Sequence, residues 1–359
     1  MSSDPFSLLP GAVGSPPVHY GNPLGEQKAL AQGTAIVDLS DRGVVSLTGP
    51  DRLTWLDSLT SQSIKSMQPG ESRETLQLDI NGRLEYAIRV VDDGDTAWLL
   101  VDAGETEGLV AWLTNMRFML RVEIADRGDE YATIGTLGAP PLEAAAPNGV
   151  PLVWNDPWRE VVTGGHQYAH VADHPGSAWT YSERLIPRAA AAAASALPVA
   201  GLLALEALRV AAWRPRLATE ADERSIPHEL DWLRSAVHLT KGCYRGQETV
   251  AKVHNLGHPP RRLVMLHLDG SDGVLPAAGD PVVIAGQDDA VGTITTAALH
   301  YELGPVALAV IKRATEHDAG LEVLTDGIRI AAAQEVIVPR DAGAEADVPR
   351  LPRLGAVRR

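Results

Sequence analysis

The chain contains one cysteine, Cys243, set in the segment Lys241-Gly-Cys-Tyr-Arg-Gly-Gln-Glu248. Lys241 and Arg245 flank it, and the stretch 247–254 that follows has helical patterning. Nearby cations and the positive end of a helix both favour a thiolate, the reactive form of cysteine, so Cys243 is a candidate nucleophile or soft metal ligand. The competing reading is a free cysteine buried as a small hydrophobe, and the polar neighbours count against it. A single cysteine excludes an intramolecular disulfide, and it excludes a zinc or iron–sulfur site built only from this chain's thiolates.

Between positions 241 and 262 the cations Lys241, Arg245, Lys252, Arg261 and Arg262 face one acid, Glu248, so the stretch is locally positive by four. It would draw a polyanion, such as a glutamylated cofactor tail or a short piece of RNA backbone; a solvated linker between domains is the alternative. Glu85 lies in an alternating segment and faces either a partner or solvent. Glu206 and Arg209, three apart on one helix, form a surface ion pair or point inward to hold a ligand, the surface pair being the commoner outcome. His254 and His258 have the four-residue spacing of a metal pair, but Gly257, Pro259 and Pro260 argue against a regular helix there, and no metal site is expected.

The elements that must carry these residues read as follows. Segments 35–39 and 43–48 are short strands, and a helix follows with Pro50 in its first turn and Leu53, Leu56 and Leu59 on one face. Alternating Leu76, Leu78 and Ile80 run into Asn81-Gly82, a hairpin signal of the type I′ kind, with strands over 84–91 and 97–101 beyond it. A helix over 105–116 and a strand over 121–125 complete a β-α-β-β-β-α-β order, which implies helices on one face of an antiparallel sheet. The stretch 131–196 is weakly patterned and proline-rich. A helix spans about 202–213, ended by Pro215. Strands at 263–268, 281–284, 291–295, 306–311 and 328–338 indicate a small β-barrel or sandwich. The polar tail at 341–359 is expected to be disordered.

A chain of 359 residues with 45% hydrophobic and 21% charged side chains implies two or three domains. Eight Trp and seven Tyr against two Phe leave amphipathic rings for edges and pockets. The net charge of −15 opposes bulk binding to nucleic acid or to an anionic membrane. The first twenty residues lack a basic start and an unbroken apolar stretch, and the longest apolar run, 189–205, is broken by Pro198 and Gly201. A cytoplasmic protein without membrane contact is the expectation.

KGCYRGQE followed by Thr249-Val-Ala-Lys252 resembles the signature of the YgfZ-type folate-binding proteins, relatives of the glycine-cleavage T-protein that help to maintain iron–sulfur enzymes. Ile226-Pro-His-Glu229 with Trp232, the 205–209 helix with Pro215, Val37-Asp38, Leu47-Thr-Gly49, the Gly82 hairpin and Ala290-Val-Gly-Thr-Ile-Thr295 extend the likeness over about 35–338. The resemblance implies an α+β, three-domain T-protein-like ring around a central folate hole, with a ferredoxin-like middle layer and a C-terminal β-barrel. In domain terms it implies a discontinuous first domain over 1–40 and 128–240, a middle domain over 41–127, and the signature with the barrel over 241–340. Tetrahydrofolate or a one-carbon derivative is the implied cofactor. Cys243 is then the reactive centre, and Glu85, Glu206, Arg209, Lys241, Tyr244, Arg245, Gln247 and Glu248 are the cofactor-binding set. Iron–sulfur client or assembly proteins are the implied partners, with possible tRNA contact. Where the T-protein carries an aspartate pair after its central hairpin, this chain has Glu85 and Tyr86, which weighs against aminomethyl transfer. A folate-dependent aminomethyl- or methyltransferase and a tRNA-binding module are the rival readings.

Overall fold

The computed structural model describes residues 4–346. Strands Ser72–Leu78, Leu84–Asp92, Thr96–Val101, Gly43–Thr48 and Glu123–Asp126 form, in that order, one fully antiparallel sheet. Helices Arg52–Leu59 and Thr106–Arg117 pack on one face, as the element order implies. Alternation along the strands divides the apolar side chains. Val45, Leu47, Leu99 and Val101 meet the helices, while Val44, Trp98 and Leu100 turn to the large central core.

A second sheet takes Val153–Asn155, Ser182–Pro187, Tyr131–Thr136, Ile36–Asp38 and Val199–Ala200 in that order. Three of these strands lie in the stretch that reads as loop-rich from sequence. Their partners are remote in the chain, so no local hairpin signal marks them. The lead-in likewise holds a helix, Pro23–Ala31, whose first turn is capped by Asn22 Oδ1 accepting from the Gly25 amide at 3.1 Å.

The C-terminal unit is a closed six-stranded barrel in the order Arg261–Leu268, Gly304–Lys312, Ala290–His300, Pro281–Ile284, Leu321–Thr325 and Ile328–Val336. The sequence reading lacks one of these, Leu321–Thr325, a five-residue strand too short to advertise its alternation. Residues 341–346 do not behave as a free tail. Ala342 is buried, and the Glu345 amide donates to the His254 carbonyl at 2.9 Å. The rest of the expected disordered tail lies outside the described residues. Among the described residues no helix is long and apolar enough to cross a membrane.

The hairpin at Asn81-Gly82 forms, but not as a type I′ turn. Asn81 has no positive φ; Gly82 does, at +78°, and its amide donates to the Asp79 carbonyl at 3.1 Å. The Asp79 carboxylate explains the choice, because Oδ1 accepts from the amides of Asn81 and Arg83, each at 2.8 Å, and holds the wider loop. Gly246 then presses on this turn. It sits at φ +84°, and a Cβ there would lie 2.6 Å from the Asp79 carbonyl oxygen. Gly246→Ala is therefore expected to cost roughly 1–3 kcal/mol through the left-handed backbone and the clash. A lowered urea midpoint at unchanged m-value checks it.

Candidate functional site

Two neighbouring regions carry the chemistry. The first is a cavity where the two sheets and the helix Leu202–Ala211 meet. Its wall is ionic. Arg214, fully buried, donates from Nη2 to Glu74 at 2.6 Å and from Nε to Asp156 at 2.9 Å, and lies over the Trp158 and Trp232 rings. Arg42 and Arg89 both pair with Glu183, Arg89 also reaching Asp102 at 2.7 Å. Arg209 donates to Glu206 at 2.8 Å, to Glu220 at 2.7 Å and to Thr296 of the barrel at 3.0 Å. Arg216 closes the set by donating to Glu206 at 3.0 Å. Aromatic faces line the remainder: Trp179 stacks on Tyr181 at 5.1 Å, and Trp154 meets Tyr181 edge-on.

These groups tune one another. Burial raises the Glu206 carboxyl, but Arg209 and Arg216 outweigh it and hold the group below its ordinary range. For Asp156 burial prevails over Arg214, with Glu74 adding to the rise. Several polar atoms remain without a hydrogen-bond partner among the described residues: Glu183 Oε2, Arg89 Nη1, Arg209 Nε and Trp232 Nε1. Buried orphans of this kind are costly unless something else satisfies them. The space among the lining side chains is narrow, the centre of a water molecule reaching only about 30 Å³ of it.

The second region is the Cys243 segment. Cys243 is exposed. Lys241 turns inward and donates from Nζ to the carbonyls of Thr60 and Gln62 at 2.8 Å each, and to that of Asp57. Burial pushes its ammonium down to about 8 although Asp57 opposes the shift. Tyr244 is buried beneath it, its ring 5.4 Å from Nζ. Gln247 Nε2 donates to the Lys241 carbonyl at 3.3 Å and opens the helix Gln247–Leu256, while Glu248 is exposed. Arg245 lies 3.5 Å from Glu85, which also accepts from Gln77 Nε2 at 2.5 Å.

Of the residues singled out from sequence, Glu206 and Arg209 line the cavity, as an inward network rather than the commoner surface pair. Glu85 shares a strand face with Ala87 and Arg89, two cavity residues, and itself opens on a separate cleft with Tyr86, Glu105 and Trp112. Lys241, Cys243, Tyr244, Arg245, Gln247 and Glu248 lie outside the cavity lining. The basic stripe is dispersed, with Lys252 exposed and Arg245 partly so, and the other three cations engaged elsewhere. Lys241 is buried, Arg261 is paired with Asp222 and Glu229, and Arg262 is fully buried against the Thr315 carbonyl and Gln334. His254 and His258 diverge, one to Tyr168 and the other to the Ala342 carbonyl. The sequence reading misses Arg42, Arg89, Glu183 and Arg214. The available signal was the alternation of Tyr181 with Glu183 and of Arg214 with Arg216, beside a tryptophan-rich composition.

Comparison with known proteins places this geometry. The sequence model of the GCVT N-terminal domain matches residues 17–142. The chain is 27% identical over 322 residues to an aminomethyltransferase of Symbiobacterium thermophilum, covering 82% of this chain and 83% of the relative. It is 23% identical over 242 residues to the tRNA-modifying protein YgfZ of Colwellia psychrerythraea, covering 65% and 72%. In three dimensions it matches the glycine cleavage system aminomethyltransferase T of Bartonella henselae with a TM-score of 0.69 at 17% identity, over 90% of this chain and 91% of the other. The fold is thus T-protein-like, α+β with a closed six-stranded C-terminal barrel.

Two outcomes follow from the electrostatics. Replacing Arg214 by Met strands Glu74 and Asp156 as buried charges, and chemical denaturation should record a loss of about 3–5 kcal/mol. Asp231, beside the cavity's Trp232, is fully buried with Oδ2 unpartnered, and burial lifts its carboxyl to about 7. The folded protein therefore holds a proton that the unfolded chain releases from about pH 4 upward, so this group's contribution falls as pH rises from about 4 to 7. Asp231→Asn should match the wild type near pH 4 and exceed its stability at pH 8 by on the order of 4 kcal/mol, as read from urea unfolding at the two pH values.

Proposed function

We propose that this protein binds tetrahydrofolate, or a one-carbon derivative, in the central cavity and acts as an accessory factor sustaining iron–sulfur enzymes, with Cys243 as its reactive centre. The observation that carries this reading is the junction between the cysteine segment and the cavity's own strands. Gly246 and Thr249 pack on the turn at Gly82, and the two strands joined by that turn supply Glu74, Ala87 and Arg89 to the cavity. Cys243 is exposed on the segment that ends at this junction, and in this reading it serves the cavity from its rim.

The lining is chemically suited to a pterin. An unpartnered acceptor on Glu183 and unpartnered donors on Arg89 and Arg209 would meet the polar edge of a flat heterocycle, and Trp154, Trp179 and Tyr181 offer aromatic faces. Glu206 and Arg209 from the sequence-derived set belong to this wall, with Glu85, Arg245 and Gln247 nearer the cysteine segment. Lys241 and Tyr244 act as anchors beneath the rim in this reading, and Glu248 remains open to solvent. Because so little space is open to water, a bicyclic ring enters only as lining side chains turn aside. When bound, the folate would supply one-carbon chemistry; the chain's own residues orient it, exclude water and set the charge around it. A single thiolate cannot hold a cluster alone, so any ligand role for Cys243 needs thiolates from a second protein or a small thiol.

The aminomethyltransferase reading is supported by the likeness over 82% of the chain. Against it stands the replacement of the T-protein's aspartate pair by Glu85 and Tyr86, of which Tyr86 packs with the helix-side core instead of the cavity. The tRNA reading rests on the relative from Colwellia psychrerythraea and loses its proposed footprint with the dispersal of the basic stripe.

Titration with tetrahydrofolate, followed by tryptophan fluorescence and calorimetry, should give saturable binding to wild type and to Cys243→Ala alike. Iron–sulfur enzyme activity in cells depleted of this protein should be restored by wild type and not by Cys243→Ala. No folate binding to either protein would sink the proposal. Aminomethyl transfer to tetrahydrofolate that proceeds equally in both would replace it with the transferase reading.

A further inference from the structure

Trp179 borders two spaces. It lines the central cavity, and it also lines a separate hollow, of which the centre of a water molecule reaches about 310 Å³ against about 30 Å³ in the cavity. The wall of the hollow is apolar and built largely from small residues. Ala31, Ala178, Ala211 and Ala212 stand around it with Leu208, and Tyr301 adds a ring. Helix Leu202–Ala211 serves both spaces, giving Leu205 to the cavity and Leu208 and Ala211 to the hollow.

The backbone around Trp179 is pinned on both sides, so movement there is confined to the side chain. The preceding turn, Pro175–Ala178, is capped by His174 Nδ1 accepting from the Gly176 amide at 2.9 Å, and the Trp179 amide donates to the Gly176 carbonyl at 3.0 Å. Beyond it, Thr180 Oγ1 donates to the Leu137 carbonyl at 2.7 Å, and the Tyr181 carbonyl accepts from the Asp156 amide at 3.0 Å. The indole itself is held by one hydrogen bond, from Nε1 to Asp156 Oδ2 at 2.8 Å, and by its stack on Tyr181. Losing that bond does not strand Asp156, which keeps Arg214 Nε at 2.9 Å and the Trp158 amide at 3.0 Å. Two other rings of the cavity lack such an escape. Trp154 Nε1 is tied to the Arg73 carbonyl and the Tyr181 hydroxyl to Glu183, and neither residue borders the hollow.

We propose that Trp179 is the gate of the central cavity: its indole stands on Tyr181 in the place of the flat ring, and it turns into the alanine-lined hollow when that ring enters. Size is the reason. An indole and a pterin are both fused bicyclic rings, so the space one leaves suits the other, and the acceptor freed on Asp156 Oδ2 meets a ring N–H in place of the indole's. The turn is a change between staggered side-chain wells. Small apolar side chains receive the displaced ring, and with Ala31 and Ala178 exposed at the hollow its N–H can reach water. The gate explains how a wall suited to a ring can be nearly closed to water. It rests on the folate reading for the identity of the entering ring, while the movement of Trp179 belongs to the chain by itself.

Fluorine NMR of protein carrying fluorotryptophan reads the movement without any ligand, the Trp179 signal being assigned by its loss in Trp179→Phe. In wild type that signal should be split or broadened by exchange between two environments. Ala211→Leu, which fills the hollow from a half-buried position outside the cavity lining, should leave one sharp signal. Ala31→Leu, filling it from the exposed end of helix Pro23–Ala31, should act alike. A single unexchanging Trp179 signal in wild type, or exchange that survives both fillers, overturns the gate. Stopped-flow mixing with tetrahydrofolate then tests the displacement: the fillers should slow association about tenfold, and Trp179→Leu should speed it. Association unchanged by the fillers overturns the exchange of one ring for the other. If wild type binds no tetrahydrofolate, the folate reading falls by itself, and the fluorine signal alone decides the gate.

Discussion

The burial of Arg214 between Glu74 and Asp156 is the interaction on which the centre of this molecule depends. A guanidinium taken out of water is expensive, and the cost is offset only where carboxylates and further hydrogen bonds surround it. Here one carboxylate comes from the strand Ser72–Leu78 and the other from the loop after Val153–Asn155, with two tryptophan rings beneath the cation. The charge can be buried only if these segments meet. Arg209 repeats the principle one step further along the chain, tying its own helix to Glu220 and, through Thr296, to the barrel. The three units therefore converge on an ionic wall rather than on an aliphatic core, and a polar cavity results.

That convergence gives the antiparallel sheet two dissimilar faces. On one, aliphatic side chains meet the two helices and form an ordinary core. On the other, Glu74, Ala87 and Arg89 stand among Leu76, Val91 and Trp98. Period-two alternation makes this economical, since a single strand can build a core with one set of side chains and a binding wall with the other. Edge positions such as Glu85 then fall where the wall meets the cysteine segment.

What was legible in the sequence follows from range. The helices Arg52–Leu59, Thr106–Arg117 and Leu202–Ala211, five of the six barrel strands and the hairpin at Gly82 carry local patterns, and each forms close to its expected position. Strands Tyr131–Thr136 and Ser182–Pro187 pair with each other across more than forty residues, and Val153–Asn155 is too short to declare itself. The cavity was harder still, because its lining comes from segments spread between Arg42 and Trp232 and none of them is a motif. Charge patterning misled for a related reason. Arg261 and Arg262 are adjacent, but alternation sends one to Asp222 and Glu229 and the other into the barrel core, so a run of cations in sequence becomes no patch in space.

The cysteine segment illustrates how position, more than local charge, determines what a residue is free to do. Lys241 looks from sequence like a cation that would favour the thiolate, yet its ammonium is held by the carbonyls of Asp57, Thr60 and Gln62. Arg245 is drawn to Glu85 in a pair exposed enough to contribute at most about 1 kcal/mol. The segment is thus fixed firmly at Lys241 and at Gly246, where backbone meets backbone on the hairpin turn, and only weakly between them. Cys243 lies on that short span, exposed and unburdened by packing. A group placed this way can meet a second macromolecule without disturbing the ionic wall behind it, so the cavity and the thiol are able to serve different partners while sharing one hairpin.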